Sequence, residues 1–156
     1  MSAEIQKTFA SNKIAKVTFA QMFREAGNQY ILIPLGCGDI VPTLLNYKAY
    51  SGIDFVIDGV KNLPDFILLH QDKKEAYLIK VQYRQKFTSA RVKSLAKEQK
   101  EKWHKSWLFI ATTHGFYFDS CQNIIKNGGA ASVLSKGLVS KELQDKHLEL
   151  MKEFQK

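Results

Sequence analysis

Residues 63–84 read Leu63-Pro64-Asp65-Phe66-Ile67-Leu68-Leu69-His70, then Gln71-Asp72-Lys73-Lys74-Glu75, then Ala76-Tyr77-Leu78-Ile79-Lys80-Val81-Gln82-Tyr83-Arg84. Two short runs rich in Ile, Leu, Val and aromatic residues flank a polar turn. Runs of that length and composition suit strands, and a short polar connection makes them neighbours. The spacing predicts a β-hairpin over 65–83.

Working outward, Tyr30 to Leu35 and Ile53 to Val60 are further short apolar runs, and both read as strands. Between them, 36–51 holds glycines and a proline and reads as a loop with a short turn of helix. Upstream, Ser11 or Asn12 is placed to cap a helix running to Ala26, with Ile14, Ala15, Val17, Phe19, Met22, Phe23 and Ala26 forming a broad apolar stripe. Downstream, Ser89 caps a helix from about Ala90 to Lys105, with Val92, Leu95, Ala96, Gln99 and Trp103 on one side. Leu108 to Thr113 and Phe116 to Phe118 are strands around a turn at His114-Gly115, and Gly128-Gly129 opens a loop. Ser140 caps a last helix whose stripe is Leu143, His147, Leu150, Met151 and Phe154. This order predicts an α/β protein with a mixed central sheet flanked by helices.

The chain has 156 residues, 45% hydrophobic and 24% charged, which is the balance of a globular chain able to bury a core. One domain over 1–156 is expected. No apolar run is long enough for a bilayer span, so no membrane partner is expected. The first residues lack a signal-peptide pattern, and Cys37 and Cys121 have neither metal-ligand nor disulfide-framework spacing, so a reducing cytoplasmic setting is expected. Cys37 lies between Gly36 and Gly38, but no His or Asp is tied to it by a motif. The formal net charge is +8. Residues 73–105 carry eleven Lys/Arg against three acids, while the rest of the chain balances twelve against twelve. The excess is therefore concentrated in one central segment, the footprint expected of a protein that grips phosphates.

Three pieces taken in order resemble the PD-(D/E)XK nuclease superfamily of restriction endonucleases and Holliday junction resolvases. They are Pro64-Asp65 in LPDFILL, Lys80-Val81-Gln82 in LIKVQYR, and WLFIATTHGFYF (107–118) after a basic helix. The resemblance covers roughly 12–125 and implies a restriction endonuclease-like core. It also implies a site in which two acids hold a divalent cation and a Lys two positions on helps activate water. Strand periodicity puts that acid and that Lys on one face. Asp65 matches the first acid. The second acid position holds Lys80 and the lysine position holds Gln82. Lys16, in KIAKVTF, stands where the family often places a further acid.

One carboxylate of the set is left, and ammonium groups repel the ion they would have to hold. The site residues Asp65, Lys80 and Gln82 therefore read as a degenerate, inactive motif with no cofactor, in which Lys80 pairs with Asp65. Magnesium or manganese enters only in an alternative where Asp54, Asp58 or Glu75 supplies a migrated acid. The expected function is nucleic-acid binding, with Arg84, Lys86, Arg91, Lys93, Lys97 and Lys100 on phosphates. An alternative is a protein-interaction module that docks a partner or a second copy through the amphipathic helix of 138–156.

Overall fold

The computed structural model of the chain describes residues 3–27, 30–36 and 40–155, with the backbone alone at 4–6 and 9. Cys37 lies outside the described residues. Five strands form one sheet in the order β1 (Tyr30–Pro34), β2 (Phe66–His70), β3 (Glu75–Tyr83), β4 (Ser106–Ala111), β5 (Phe116–Ser120). Three of the pairings are antiparallel; β3 and β4 run parallel. The mixed α/β sheet and the 65–83 hairpin are as the sequence predicts.

A parallel pair needs a crossover, and α4 (Ser89–Lys102) supplies it. Period-two alternation in β4 then separates two cores. Leu108 and Ile110 face Val92 and Ala96 of α4 and Cys121 and Ile124 of α5 (Cys121–Lys126). Phe109 and Ala111 face the opposite way, with Phe66, Leu68, Ile79 and Val81, against Ala15, Phe19, Met22 and Phe23 of α1 (Ala3–Ala26). Phe19 is fully buried, with ring centroids 5.0 Å from Phe66 and 4.9 Å from Phe109. The last helix, α6 (Lys141–Phe154), lies against α1 on this side.

Three sequence expectations change. Ile53–Val60 is a helix, α3, not a strand, so Asp54 and Asp58 stand on a helix. A short apolar run does not separate the two by periodicity. Here Gly52, at φ 82°, opens a turn that starts a helix, and Ile53, Ile57 and Val60 form its half-buried stripe. Phe55 on the other side is 84% exposed. Secondly, α1 begins eight residues before the expected cap. Ser11 is buried mid-helix, and Asn12 Oδ1 accepts the Tyr83 N–H at 2.8 Å, closing the end of β3 instead of capping α1. Thirdly, Ser89 is the first residue of α4 and not its cap, since Thr88 holds the cap position without a side-chain hydrogen bond; α5, which was not anticipated, follows β5 directly, capped by Ser120 Oγ, which accepts the Asn123 N–H. The loop of 36–51 contains α2 (Ile40–Leu44) and a 3₁₀ turn (Leu45–Tyr47).

The C-terminal helix starts at the Ser140 cap, whose Oγ accepts the Leu143 N–H at 3.2 Å. Its stripe is largely consumed inside the fold: His147 and Met151 are buried, and Gln144 donates to the Leu134 and Val139 carbonyls. Leu150 and Phe154 stay exposed. Among the described residues no helix is long and apolar enough to cross a membrane.

Candidate functional site

The site sits where β2 begins, at the end of β3. Asp65 precedes β2 and is locked by its own backbone. Its N–H donates to the Ile79 carbonyl at 2.8 Å, and its carbonyl accepts the Leu35 N–H at 3.0 Å. Phe66 opposes Ile79 in the hairpin, so one step further Asp65 faces Lys80. Antiparallel neighbours share a sheet face, which brings the carboxylate and the lysine stem together.

The Asp65 carboxylate is buried and surrounded. Oδ1 lies 3.0 Å from Lys16 Nζ, and Oδ2 accepts the Val81 N–H at 2.7 Å. Lys80 Nζ stands 4.0 Å from Oδ2, and the Lys80 side chain is only 8% exposed. Its ammonium donates to the Lys61 and Leu63 carbonyls, at 3.1 and 3.0 Å. The pairing anticipated for Lys80 is therefore shared. Lys16 from α1 makes the close contact, while Lys80 adds its charge from behind and ties β3 to the chain between α3 and β2. Both lysines stand at positions where the resemblance implies acids.

Gln82, two positions beyond Lys80, lies on the same face of β3. Its Oε1 accepts from Arg84 Nη1 at 2.8 Å, and the same nitrogen donates to the Tyr83 carbonyl at 2.9 Å. The third motif position thus aims an arginine. Burial, with the neighbouring charge of Arg91, pushes the Arg84 guanidinium below its ordinary pKa, yet an arginine stays protonated.

Two cavities meet at Gln82. One, of about 400 Å³, is lined by Lys13, Lys16, Lys61 and Lys80, and Asp65 is its only carboxylate among the described residues. The other, of about 720 Å³, lies between α1, the end of β3 and α4, and is lined by Lys7, Arg84 and Arg91, with Glu98 its only acid among the described residues. The Glu98 carboxylate is engaged by Asn62 Nδ2 at 3.4 Å. Together they form a trough with seven cations and two carboxylates among the described residues.

The six residues expected on phosphates do not share one surface. In α4, Val92, Ala96 and Gln99 are buried, and the 100° helical step then sets Arg91 on one flank and Lys93, Lys97 and Lys100 on the other. Lys100 lines a separate cavity beside Trp107 and Cys121. Of the six, only Arg84 and Arg91 reach the trough, and Lys86 is exposed in the loop between them. Lys7, Lys13 and Lys61 join without having been expected. They come from segments whose acids cancel them in a linear charge count.

A divalent cation does not fit this arrangement. It would need several oxygen ligands, and the Asp65 carboxylate already holds Lys16 and the Val81 N–H beside a second ammonium. Nor do the alternative acids converge: Asp58 pairs with Lys61 at 2.7 Å on exposed α3, and Glu75 accepts from the Tyr77 hydroxyl. Among the described residues no group of three or more His, Cys, Asp or Glu side chains is placed to hold a metal. Compared with family models, curated proteins and solved structures, the chain matches none.

Proposed function

We propose that this chain is a nuclease-like fold of the PD-(D/E)XK kind that binds nucleic acid and does not cut it. The observation that carries the reading is the double ammonium around Asp65, with Lys16 at 3.0 Å and Lys80 at 4.0 Å. In an active site of this kind the carboxylates would recruit positive charge as a metal ion. Here lysines of the chain supply it permanently, leaving no ligand set and no metal-bound water to attack a phosphodiester. What the lysines retain is attraction for the substrate's backbone. A strand laid along the trough would meet Lys13, Lys16 and Lys61, then Arg84 and Arg91. These are contacts to phosphates, so binding follows charge more than base sequence.

Fluorescence anisotropy with an unstructured oligonucleotide at two salt concentrations tests this. With on the order of five phosphates neutralised, affinity for a single strand falls about a hundredfold from 50 to 200 mM salt. Absence of binding at low salt, or affinity that ignores salt, overturns the reading. Plasmid nicking with magnesium or manganese is the second arm. No cleavage is expected, and cleavage abolished by Asp65→Ala would show that the lysines do not prevent catalysis.

A further inference from the structure

We infer that the cavity at Arg84 and Arg91 is a recognition site for a phosphomonoester, the terminal phosphate of a nucleic-acid strand or of a nucleotide. This deepens the binding reading above and rests on it for the strand, though not for the nucleotide. Arg84 is half-buried at the end of β3 and is held in orientation by one nitrogen. Both of its side-chain hydrogen bonds among the described residues, to Gln82 Oε1 and to the Tyr83 carbonyl, come from Nη1. Among the described residues, nothing engages the Nε–Nη2 edge, the edge that grips an oxyanion with two parallel bonds. No carboxylate pairs with Arg84 or with Arg91 among those residues.

Arg84 and Arg91 line one cavity and their charges repel each other, and a bound anion removes that repulsion. The remaining lining suits the same ligand. Lys7 supplies a third cation, and Thr8, Ser11 and Ser94 bring residues with hydroxyl groups. Glu98, the one acid among the described lining residues, accepts from Asn62 Nδ2. Among the described residues, three cations against one carboxylate leave a local charge of two. An internal phosphodiester carries one negative charge and two non-bridging oxygens. A phosphomonoester near neutral pH carries about −1.5 to −2 and three terminal oxygens, which matches both the charge and the two donor forks. At about 720 Å³ the cavity has room for the nucleoside attached to that phosphate.

The experiment uses the full chain and one internally labelled oligonucleotide with hydroxyl ends, a 5′-phosphate or a 3′-phosphate. Anisotropy titrations should show one phosphorylated form binding about tenfold tighter than the hydroxyl-ended form. Arg84→Gln should remove that preference, Arg84→Lys should restore little of it because the fork is gone, and Lys97→Gln should keep it. Thermal melts of each variant separate a lost site from a lost fold. Equal affinity for all three strands overturns the terminal-phosphate assignment while leaving backbone binding in place.

If no strand binds, the nucleic-acid reading fails. Calorimetry with adenosine monophosphate and with inorganic phosphate then decides the pocket alone. Binding of either that is lost in Arg84→Gln supports it, and binding of neither, or binding indifferent to Arg84→Gln, overturns it.

Discussion

Replacing Asp65 should unsettle the fold itself, and the structure sets the size of the effect. The carboxylate is 4% exposed and stands against two ammonium groups and the Val81 N–H. Removing one partner of a buried ion pair typically costs about 3–5 kcal/mol, because the other charge is left uncompensated. Lys16, at 21% exposed, can turn toward water, whereas Lys80 at 8% cannot. Asp65→Asn, which keeps an acceptor for Val81, should therefore cost about 3 kcal/mol. Asp65→Ala also orphans that N–H and should cost about 1 kcal/mol more. A loss of this size is a large share of the 5–15 kcal/mol typical of a domain. Urea unfolding followed by circular dichroism gives each value, with an unchanged slope showing that the same transition is compared. Adding Lys80→Met to Asp65→Asn removes the stranded charge and should recover at least about 1 kcal/mol. A cost below about 1 kcal/mol for Asp65→Ala, or no recovery in the double variant, would refute the claim that this carboxylate exists to hold lysines.

Further outcomes follow from other parts of the molecule. Replacing Lys93, Lys97 and Lys100 together by Gln should weaken oligonucleotide binding less than Arg84→Gln with Arg91→Gln, because Arg84 and Arg91 line the trough while the three lysines lie on the other flank of α4; anisotropy at one salt concentration compares them. Gly129→Ala should destabilise by about 2–4 kcal/mol in thermal melts, since a Cβ there would stand 2.0 Å from the Ser89 carbonyl oxygen at φ 100°. Cys121 is buried, and burial first, then Asp119, push its thiol up to about 12 against a small opposing pull from Lys100. In a Cys37→Ser background a thiol reagent at pH 8 should react with it only after urea is added. The sign follows from the raised value: the contribution of the neutral thiol to stability is complete below its unfolded pKa near 9 and is lost as pH rises toward 12.

The hairpin was readable because strong local signals agreed: β-branched and aromatic runs, a polar turn, and an alternation that one buried face enforces. The helix of 89–102 and the Ser140 cap were readable for the same reason. Ile53–Val60 was not, since its apolar residues fit either period and the deciding feature is the backbone of Gly52. Ser11 and Asn12 misled in an instructive way. Their side chains look like caps, but in the folded chain one is buried and the other completes the ladder of β3, a use that depends on a strand seventy residues away. The six residues of α5 carry too little pattern to stand out, and their cap, Ser120, belongs to a strand.

At the candidate site the anticipated Lys80–Asp65 pair is present at 4.0 Å, and a closer partner, Lys16 at 3.0 Å, was not anticipated. Asp65, Lys80 and Gln82 do occupy one corner of the sheet, as strand periodicity requires. That Lys16 makes the closest ion pair depends on where α1 crosses that corner, which a residue count along the chain does not contain. Charge illustrates the same limit more sharply. Segment sums put the whole excess in 73–105, yet that segment wraps α4 on both flanks, so its lysines diverge once folded. Lys7, Lys13, Lys16 and Lys61 sit in stretches that look neutral and nevertheless converge on one trough with Arg84 and Arg91. An electrostatic surface depends on which cations the fold faces inward together and on which acids are already engaged. Asp58, paired with Lys61 at 2.7 Å, offsets one of the trough's cations, and Glu98 keeps its charge while it accepts from Asn62. The binding experiments therefore discriminate most strongly when cations are grouped by cavity instead of by position along the chain.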